Sequence, residues 1–173
     1  MIKLKTLLTE ALDYPYKYSR SFRTEQIDYE DPETGETYKK DVLSPVQIVK
    51  FKTDEGIPYL WYAKQNRYDD TIWEIAFGVN KGMDDREHYQ LDIGVTGTGN
   101  ALRIFATVID IINSFVEFNE DNYEIQRLMF TAKGNNRSAL YVKRIVPRIE
   151  KFKVESVRDN GGGETEIMLT RQF

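Results

Sequence analysis

Three glycines precede the longest apolar stretch of the chain. Gly94, Gly97 and Gly99 stand within six residues, and the apolar run 101–118 follows them. Glycine lets the backbone approach a ligand closely, and the free amides at a helix N-terminus attract anions, so this turn could hold a phosphate. The spacing matches neither the dinucleotide fingerprint nor a Walker loop. The alternative is a tight strand-to-helix turn in which Thr98 or Asn100 caps the helix.

Two carboxylates lie in predicted strands, and either could serve as a general base. Glu74 belongs to an aromatic strand, and Asp92 belongs to the strand that leads into the glycine turn. A buried carboxylate with a raised pKa could take a proton from an amine. The alternative is that both side chains face outward, because successive strand residues alternate between the two faces. The lone His88 has no orienting partner in the sequence, and we interpret it as a surface residue.

The composition excludes several kinds of chemistry. The chain has no cysteine and one histidine, which excludes a disulfide scaffold, a thiolate nucleophile and a histidine zinc cluster. The net charge of −4 and the pI of about 5.2 disfavour nucleic acid as a partner. We expect no membrane span and no secretory signal, and therefore a cytoplasmic protein.

A basic cluster near the C-terminus stands out against the acidic balance of the chain. Such a cluster could bind phosphates, or it could be an ordinary solvated face. Its members are Lys133, Arg137, Lys143, Arg144, Arg148, Lys151 and Lys153. A group of aromatic residues in neighbouring strands has two similar interpretations, a stacking platform or one side of a packed sheet. These aromatic residues are Tyr59, Trp61, Tyr62, Tyr68 and Trp73.

The elements that must position these residues follow from hydrophobic periodicity and turn residues. We predict an amphipathic helix over 2–12, a hairpin that pairs 21–29 with 42–51, and strands over 59–63, 71–79 and 89–95. A mostly buried helix over 101–118, a strand over 125–132, a second helix over 137–149 and a closing hairpin complete the chain. Pro147 should kink the second helix or end it early. This order predicts one α+β domain over 1–173, with a mixed, largely antiparallel sheet flanked by helices.

The second half, about residues 88–173, resembles the GCN5-related N-acetyltransferase (GNAT) family. Two stretches carry the resemblance: the strand, glycine turn and long helix from Tyr89 onward, and the sequence Asn135 to Tyr141. The resemblance implies a β-α-β-α-β-β arrangement, acetyl-coenzyme A as cofactor, and an amine as acceptor. It implies that the cofactor pyrophosphate is bound by Thr96, Gly97, Thr98, Gly99, Asn100 and Ala101. It further implies that Asn135 or Asn136 steadies the cofactor and that Tyr141 protonates the departing thiolate.

A second interpretation is a protein without enzymatic activity. The family usually has Arg or Gln where this chain has Gly94, and its two acceptor-side helices are not evident here. Tyr141 would then pack as an ordinary core residue with a hydrogen bond at its tip. The stretches 1–12, 105–108 and 130–141 are similar to small uncharacterised proteins of tailed bacteriophages. That resemblance implies a host cytoplasm or a virion, and an accessory or structural protein that could form a homo-oligomer.

Overall fold

A computed structural model describes residues 14–19, 22–83, 89–92, 101–119, 125–133 and 139–173. The helix predicted over 2–12 lies outside these residues. The strands are β1 (Thr24–Glu30), β2 (Thr37–Leu43), β3 (Val46–Lys52), β4 (Pro58–Gln65), β5 (Ile72–Met83), β6 (Tyr89–Asp92), β7 (Arg127–Lys133), β8 (Phe152–Gly161) and β9 (Glu164–Arg171). The helix α1 spans Ala101–Phe118, and a π-helical turn, Tyr141–Ile145, leads into a 3₁₀ turn, Val146–Arg148.

The main sheet of the described residues has seven strands in the order β3-β4-β5-β7-β9-β8, with β6 pairing β5 outside this path. All neighbouring pairs are antiparallel except β5 and β7, which run parallel and are joined through α1. A parallel pair needs such a crossover because the chain must return to the end of the sheet at which the first strand began, and a tight turn is too short for that. The prediction of an α+β fold with a mixed, largely antiparallel sheet is confirmed.

The core lies between one face of the sheet and α1. The helix is apolar around most of its circumference, and ten of its residues are buried, from Ile104 to Val116. The Phe115 ring contacts both tryptophan rings of the sheet, Trp61 at 5.6 Å and Trp73 at 5.2 Å between centroids. Both tryptophans and Tyr59 are buried. Tyr59, Trp61 and Trp73 therefore form core, whereas Tyr62 is half-buried on the opposite face and Tyr68 is exposed.

The predicted hairpin of 21–29 with 42–51 is wrong in its pairing. β1 pairs instead with β2, in register from Thr24 opposite Leu43 to Glu30 opposite Thr37, and these two strands form their own sheet. The strand β2 ends before Pro45, and β3 begins after it and joins the main sheet beside β4. Proline has no N–H for a strand ladder, so it separates two strands that we had predicted as one.

The second predicted helix forms only in part. Within the described residues it consists of a short stretch at 139–140, the π-helical turn and the 3₁₀ turn, and the backbone becomes extended at Ile149. Pro147 lies in the 3₁₀ turn and has no N–H to give to a carbonyl one turn earlier, which explains both the irregular winding and the early end. Among the described residues, no helix is long and apolar enough to cross a membrane.

Candidate functional site

Two strands share one edge of β5 and leave a space between them. β7 pairs with Ile72–Ile75 of β5, and β6 pairs with the other end of β5, from Val79 to Met83. Within the described residues, Ala76, Phe77 and Gly78 have no strand partner on this edge. Every second residue of a strand directs its N–H and C=O toward a given edge, so this stretch offers backbone hydrogen-bonding groups there. We call this space the β5 notch.

The β5 notch borders a small and mostly apolar cavity. The cavity encloses about 10 Å³, which is room for about one water molecule. The lining residues are Ile75, Ala76, Phe77, Phe130, Thr131 and Tyr141.

Tyr141 lies at the β5 notch and is 6% exposed. Its ring centroid is 5.9 Å from that of Phe77 and 6.3 Å from that of Phe105, so it packs between β5 and α1. It is also the first residue of the π-helical turn, a feature often found at functional sites. The ring contacts agree with a packing role, and a role in proton transfer stays a prediction.

Most of the predicted cofactor residues belong to the part of the chain that is not described. Thr96, Gly97, Thr98, Gly99, Asn100, Asn135 and Asn136 lie outside the described residues, as do His88 and the side chain of Asp92. Ala101 is described: it is the first residue of α1, and it is half-buried against the core. The strand end at Asp92, where the segment 93–100 begins, pairs with Val79 beside the β5 notch.

Arg103 holds the N-terminal segment against the first turn of α1. Its guanidinium lies 4.0 Å from the Tyr16 ring, its Nη1 is 2.7 Å from Oδ2 of Asp54, and its Nε donates a 3.0 Å hydrogen bond to the carbonyl of Tyr14. Burial raises the pKa of the Tyr16 hydroxyl, and the Arg103 charge opposes that rise. Sequence reasoning missed this cluster. A cation at the positive end of a helix is unfavourable unless it has partners. The position of Arg103 in the first turn of a predicted helix therefore indicated that other residues of the chain would contact its guanidinium.

Glu74 faces away from Tyr141. It is half-buried on the sheet face opposite to that of Phe77, and Nδ2 of Asn66 donates a 2.8 Å hydrogen bond to its carboxylate. Burial and then the Glu74 charge raise the pKa of Tyr62 on the same face. The outward-facing interpretation of Glu74 is confirmed, and the structure does not bring this carboxylate together with Tyr141. Among the described residues, no group of three or more acidic or histidine side chains is arranged to hold a metal ion.

The basic cluster lies on the surface as far as it is described. Lys143, Arg144, Lys151 and Lys153 are exposed and Arg148 is half-buried, while the side chains of Lys133 and Arg137 lie outside the described residues. Nη1 of Arg148 donates a 3.0 Å hydrogen bond to the carbonyl of Arg144. The described members of the cluster do not line the cavity beside the β5 notch.

Comparison with known proteins gives only a loose structural likeness. No family model matches the chain, and no curated protein matches it. Among solved structures, the chain is similar to the microcin C7 self-immunity acetyltransferase MccE (16% identity, TM-score 0.42, covering 75% of this chain and 62% of that one). It is also similar to the aminoglycoside acetyltransferase AAC(6')-Ib (12%, TM-score 0.40, covering 73% and 67%) and to the spermidine N-acetyltransferase SpeG of Vibrio cholerae (11%, TM-score 0.40, covering 75% and 66%).

The chain thus spans 62% of the length of the MccE structure. With TM-scores of 0.40 to 0.42, these likenesses assign neither a ligand nor an activity to this chain.

Proposed function

We propose that this protein binds an acyl-coenzyme A and transfers the acyl group to an amine. The observation that carries the proposal is the position of the β5 notch, where two strands part beside the Tyr141 ring. The segment 93–100, with its glycines, begins at this strand edge and leads into α1 at Ala101. The proposal therefore places an anion-binding turn, a free strand edge and a phenol in one neighbourhood.

The chemistry of the β5 notch suits the amide-bearing arm of the cofactor. The unpaired edge Ala76–Gly78 could exchange hydrogen bonds with amides, and the apolar lining would exclude water. We therefore expect the amide exchange of β5 to change when the cofactor binds.

The roles follow from the predictions made on the sequence. The backbone amides of Thr96–Ala101 would hold the pyrophosphate, and Asn135 or Asn136 would steady the cofactor. The Tyr141 hydroxyl would give its proton to the departing thiolate, and water or a carboxylate would take the proton of the amine. When bound, the cofactor supplies the activated acyl group.

The test is binding of acetyl-coenzyme A, measured by titration calorimetry and by thermal unfolding. A binder gains about 2.7 kcal/mol of stability at one hundred times its dissociation constant. Replacing Gly97 and Gly99 with valine should abolish that gain in a folded protein. Tyr141→Phe should keep binding and slow acyl transfer to a panel of amines, whereas Tyr38→Phe, the same change on an exposed residue, should leave both unchanged.

A second candidate function is a non-enzymatic accessory or structural protein. The packing of Tyr141 between Phe77 and Phe105 favours it. Absence of any stabilisation by millimolar acetyl-coenzyme A, in protein shown by circular dichroism to be folded, would contradict the acyltransferase proposal and favour this one.

A further inference from the structure

The β1–β2 hairpin carries the acidic charge of the chain. Between Thr24 and Leu43 there are seven carboxylates and two lysines, a formal charge of −5, although the whole chain carries −4. The strands form a two-stranded sheet separate from the main one. Nearly all their residues are exposed, and Leu43 is the one that is buried. We call Thr24–Leu43 the acidic arm.

One face of the acidic arm also exposes apolar side chains. Because Ile27 pairs with Lys40 and Tyr29 with Tyr38, these four side chains share a face. The Ile27 and Tyr38 side chains are 39% and 48% exposed. The same face forms one wall of a cleft of about 490 Å³, whose other wall includes Pro45, Gln65 and Asp70. Glu25 is the one carboxylate of the strands on this face, whereas Asp28, Glu30 and Asp41 lie on the opposite face and Asp31, Glu33 and Glu36 lie in the turn. The acidic charge is therefore concentrated on the tip of the arm and on the face turned away from the cleft.

The orientation of the acidic arm is fixed at its base by Gln47. Its Oε1 accepts a 2.7 Å hydrogen bond from the amide of Arg23, and its Nε2 donates to the carbonyls of Arg23 at 2.7 Å and of Ser44 at 2.9 Å. Arg23 and Ser44 are the residues on either side of the arm, and the Ser44 amide donates to the Arg23 carbonyl. A hairpin without further support is marginally stable in water, so this buried clamp holds the arm in place for a partner.

A complementary surface lies elsewhere on the same chain. The segment Ala139–Arg158 has six basic and two acidic residues, a formal charge of +4. Its β8 strand exposes Val154 by 38% and Val157 by 49%. Both valines lie on one sheet face, because their cross-strand partners Leu169 and Ile167 are both core residues. We call Ala139–Arg158 the basic segment.

The acidic arm and the start of the basic strand β8 lie at the same end of the main sheet. β3, β5, β7 and β8 run in one direction, as the antiparallel and parallel pairings require, so all four begin at that end. The acidic arm connects directly to the start of β3, and the basic segment contains the start of β8. A twofold axis at this end could bring each arm onto the basic segment of the other copy, which closes the assembly at two chains.

We propose that the acidic arm docks on the basic segment of a second copy of this chain, forming a twofold dimer. The contact is made by the acidic tip and acidic face of the arm, and opposite charges of similar size meet at each of the two equivalent contacts. The proposal does not depend on the acyltransferase proposal, because neither surface includes the β5 notch except through Tyr141, which is buried.

Light scattering after size exclusion, over a concentration series, tests the dimer. The wild-type chain should have twice the 20.3 kDa mass of one copy at low salt and should dissociate in 1 M salt, where screening is nearly complete. Glu30→Lys/Glu36→Lys on the arm should raise the dimer dissociation constant about tenfold or more, and so should Lys143→Glu/Arg144→Glu on the basic segment. Combining the four substitutions should restore the dimer.

The matched control for the basic-segment variant is Lys52→Glu/Lys81→Glu, which makes the same charge change on exposed residues at the other end of the sheet and should leave the dimer intact. Circular dichroism would confirm that each variant is folded. The proposal is overturned if the wild-type chain stays monomeric, if either arm or segment variant dimerises normally, or if the combined variant does not recover. A monomer whose arm binds an added cationic peptide would show a different basic partner and would equally overturn it.

Discussion

The amide of Tyr16 donates a 2.8 Å hydrogen bond to Oγ1 of Thr107, a buried hydroxyl in the middle of α1. That hydroxyl donates in turn to the carbonyl of Arg103 at 2.8 Å. One helical turn further on, the Tyr18 hydroxyl donates to Oδ2 of Asp110 at 2.5 Å. Tyr18 also forms a β-bridge with Phe51. The segment 14–19 is therefore fixed between α1 and the edge of β3, although α1 is about ninety residues away in sequence.

Thr107→Val should lower the free energy of unfolding by about 1–3 kcal/mol, because it leaves the buried Tyr16 amide without an acceptor. Urea denaturation measures the loss, and hydrogen exchange at the Tyr16 amide locates it. Thr107→Ser keeps the hydroxyl and should keep that amide slow to exchange. Equal exchange rates in the two variants would show that the hydrogen bond does not hold the segment.

Gln47→Leu should loosen the acidic arm and leave the main sheet folded. The substitution removes three hydrogen bonds at the base of the arm and leaves the Arg23 amide without its acceptor. Amide exchange should accelerate across β1 and β2 and stay slow in β4 and β5. Gln26→Leu, the same change on an exposed residue of the arm, should have little effect. Uniform acceleration throughout the sheet would argue against a local clamp.

Phe115→Ala should cost about 3–5 kcal/mol of stability, since it opens a cavity between two fully buried tryptophans. The chain has only these two tryptophans, so their fluorescence reports the site directly. Acrylamide should quench the variant more readily than the wild type. Phe118→Ala removes the same side chain from a position that is 50% exposed, and it should cost far less. Similar costs for both would mean that the core does not lie where the helix face indicates.

Protonation of the Asp69 carboxyl should make the fold less stable in acid. Hydrogen bonds from the hydroxyl and amide of Thr71, at 2.5 and 3.0 Å, hold the pKa of the Asp69 carboxyl below its ordinary 3.8. A lowered folded-state pKa stabilises the fold above the unfolded-state pKa, and that contribution is lost as the pH falls through the folded-state pKa. Asp69→Asn should flatten the dependence of unfolding on pH below about pH 4. Asp70→Asn, which removes the neighbouring charge and none of these bonds, should not.

Hydrophobic length and periodicity made the central elements predictable. The helix predicted over 101–118 matches α1. Its apolar residues recur at helical spacing around most of the helix circumference, which is typical of a buried helix. The predicted strands over 59–63 and 71–79 correspond to β4 and β5, because β-branched and aromatic residues dominate them. The basic cluster was identified in the sequence, whereas the pairing of β1 with β2, which places the carboxylates of 24–43 on one hairpin, was not.

Features that depend on three-dimensional neighbours were missed. β2 has the sequence TYKKDVL, whose charges hide its alternation, and only its pairing with β1 shows it as a strand. The contacts of Arg103 with Tyr16 and Asp54 join three distant stretches, which no local pattern predicts. The β5 notch arises because β6 and β7 pair with different parts of the same edge of β5. A short stretch of sequence does not show which strands will pair.

The acidic arm determines the sign of the net charge of the chain. Taking its −5 from the −4 of the whole chain leaves +1, so a protease that excised Thr24–Leu43 would turn an acidic molecule into a slightly basic one. An anion-exchange column would retain the intact chain at neutral pH and release the clipped one. The elution position would thus report the integrity of a single hairpin that contributes almost nothing to the core.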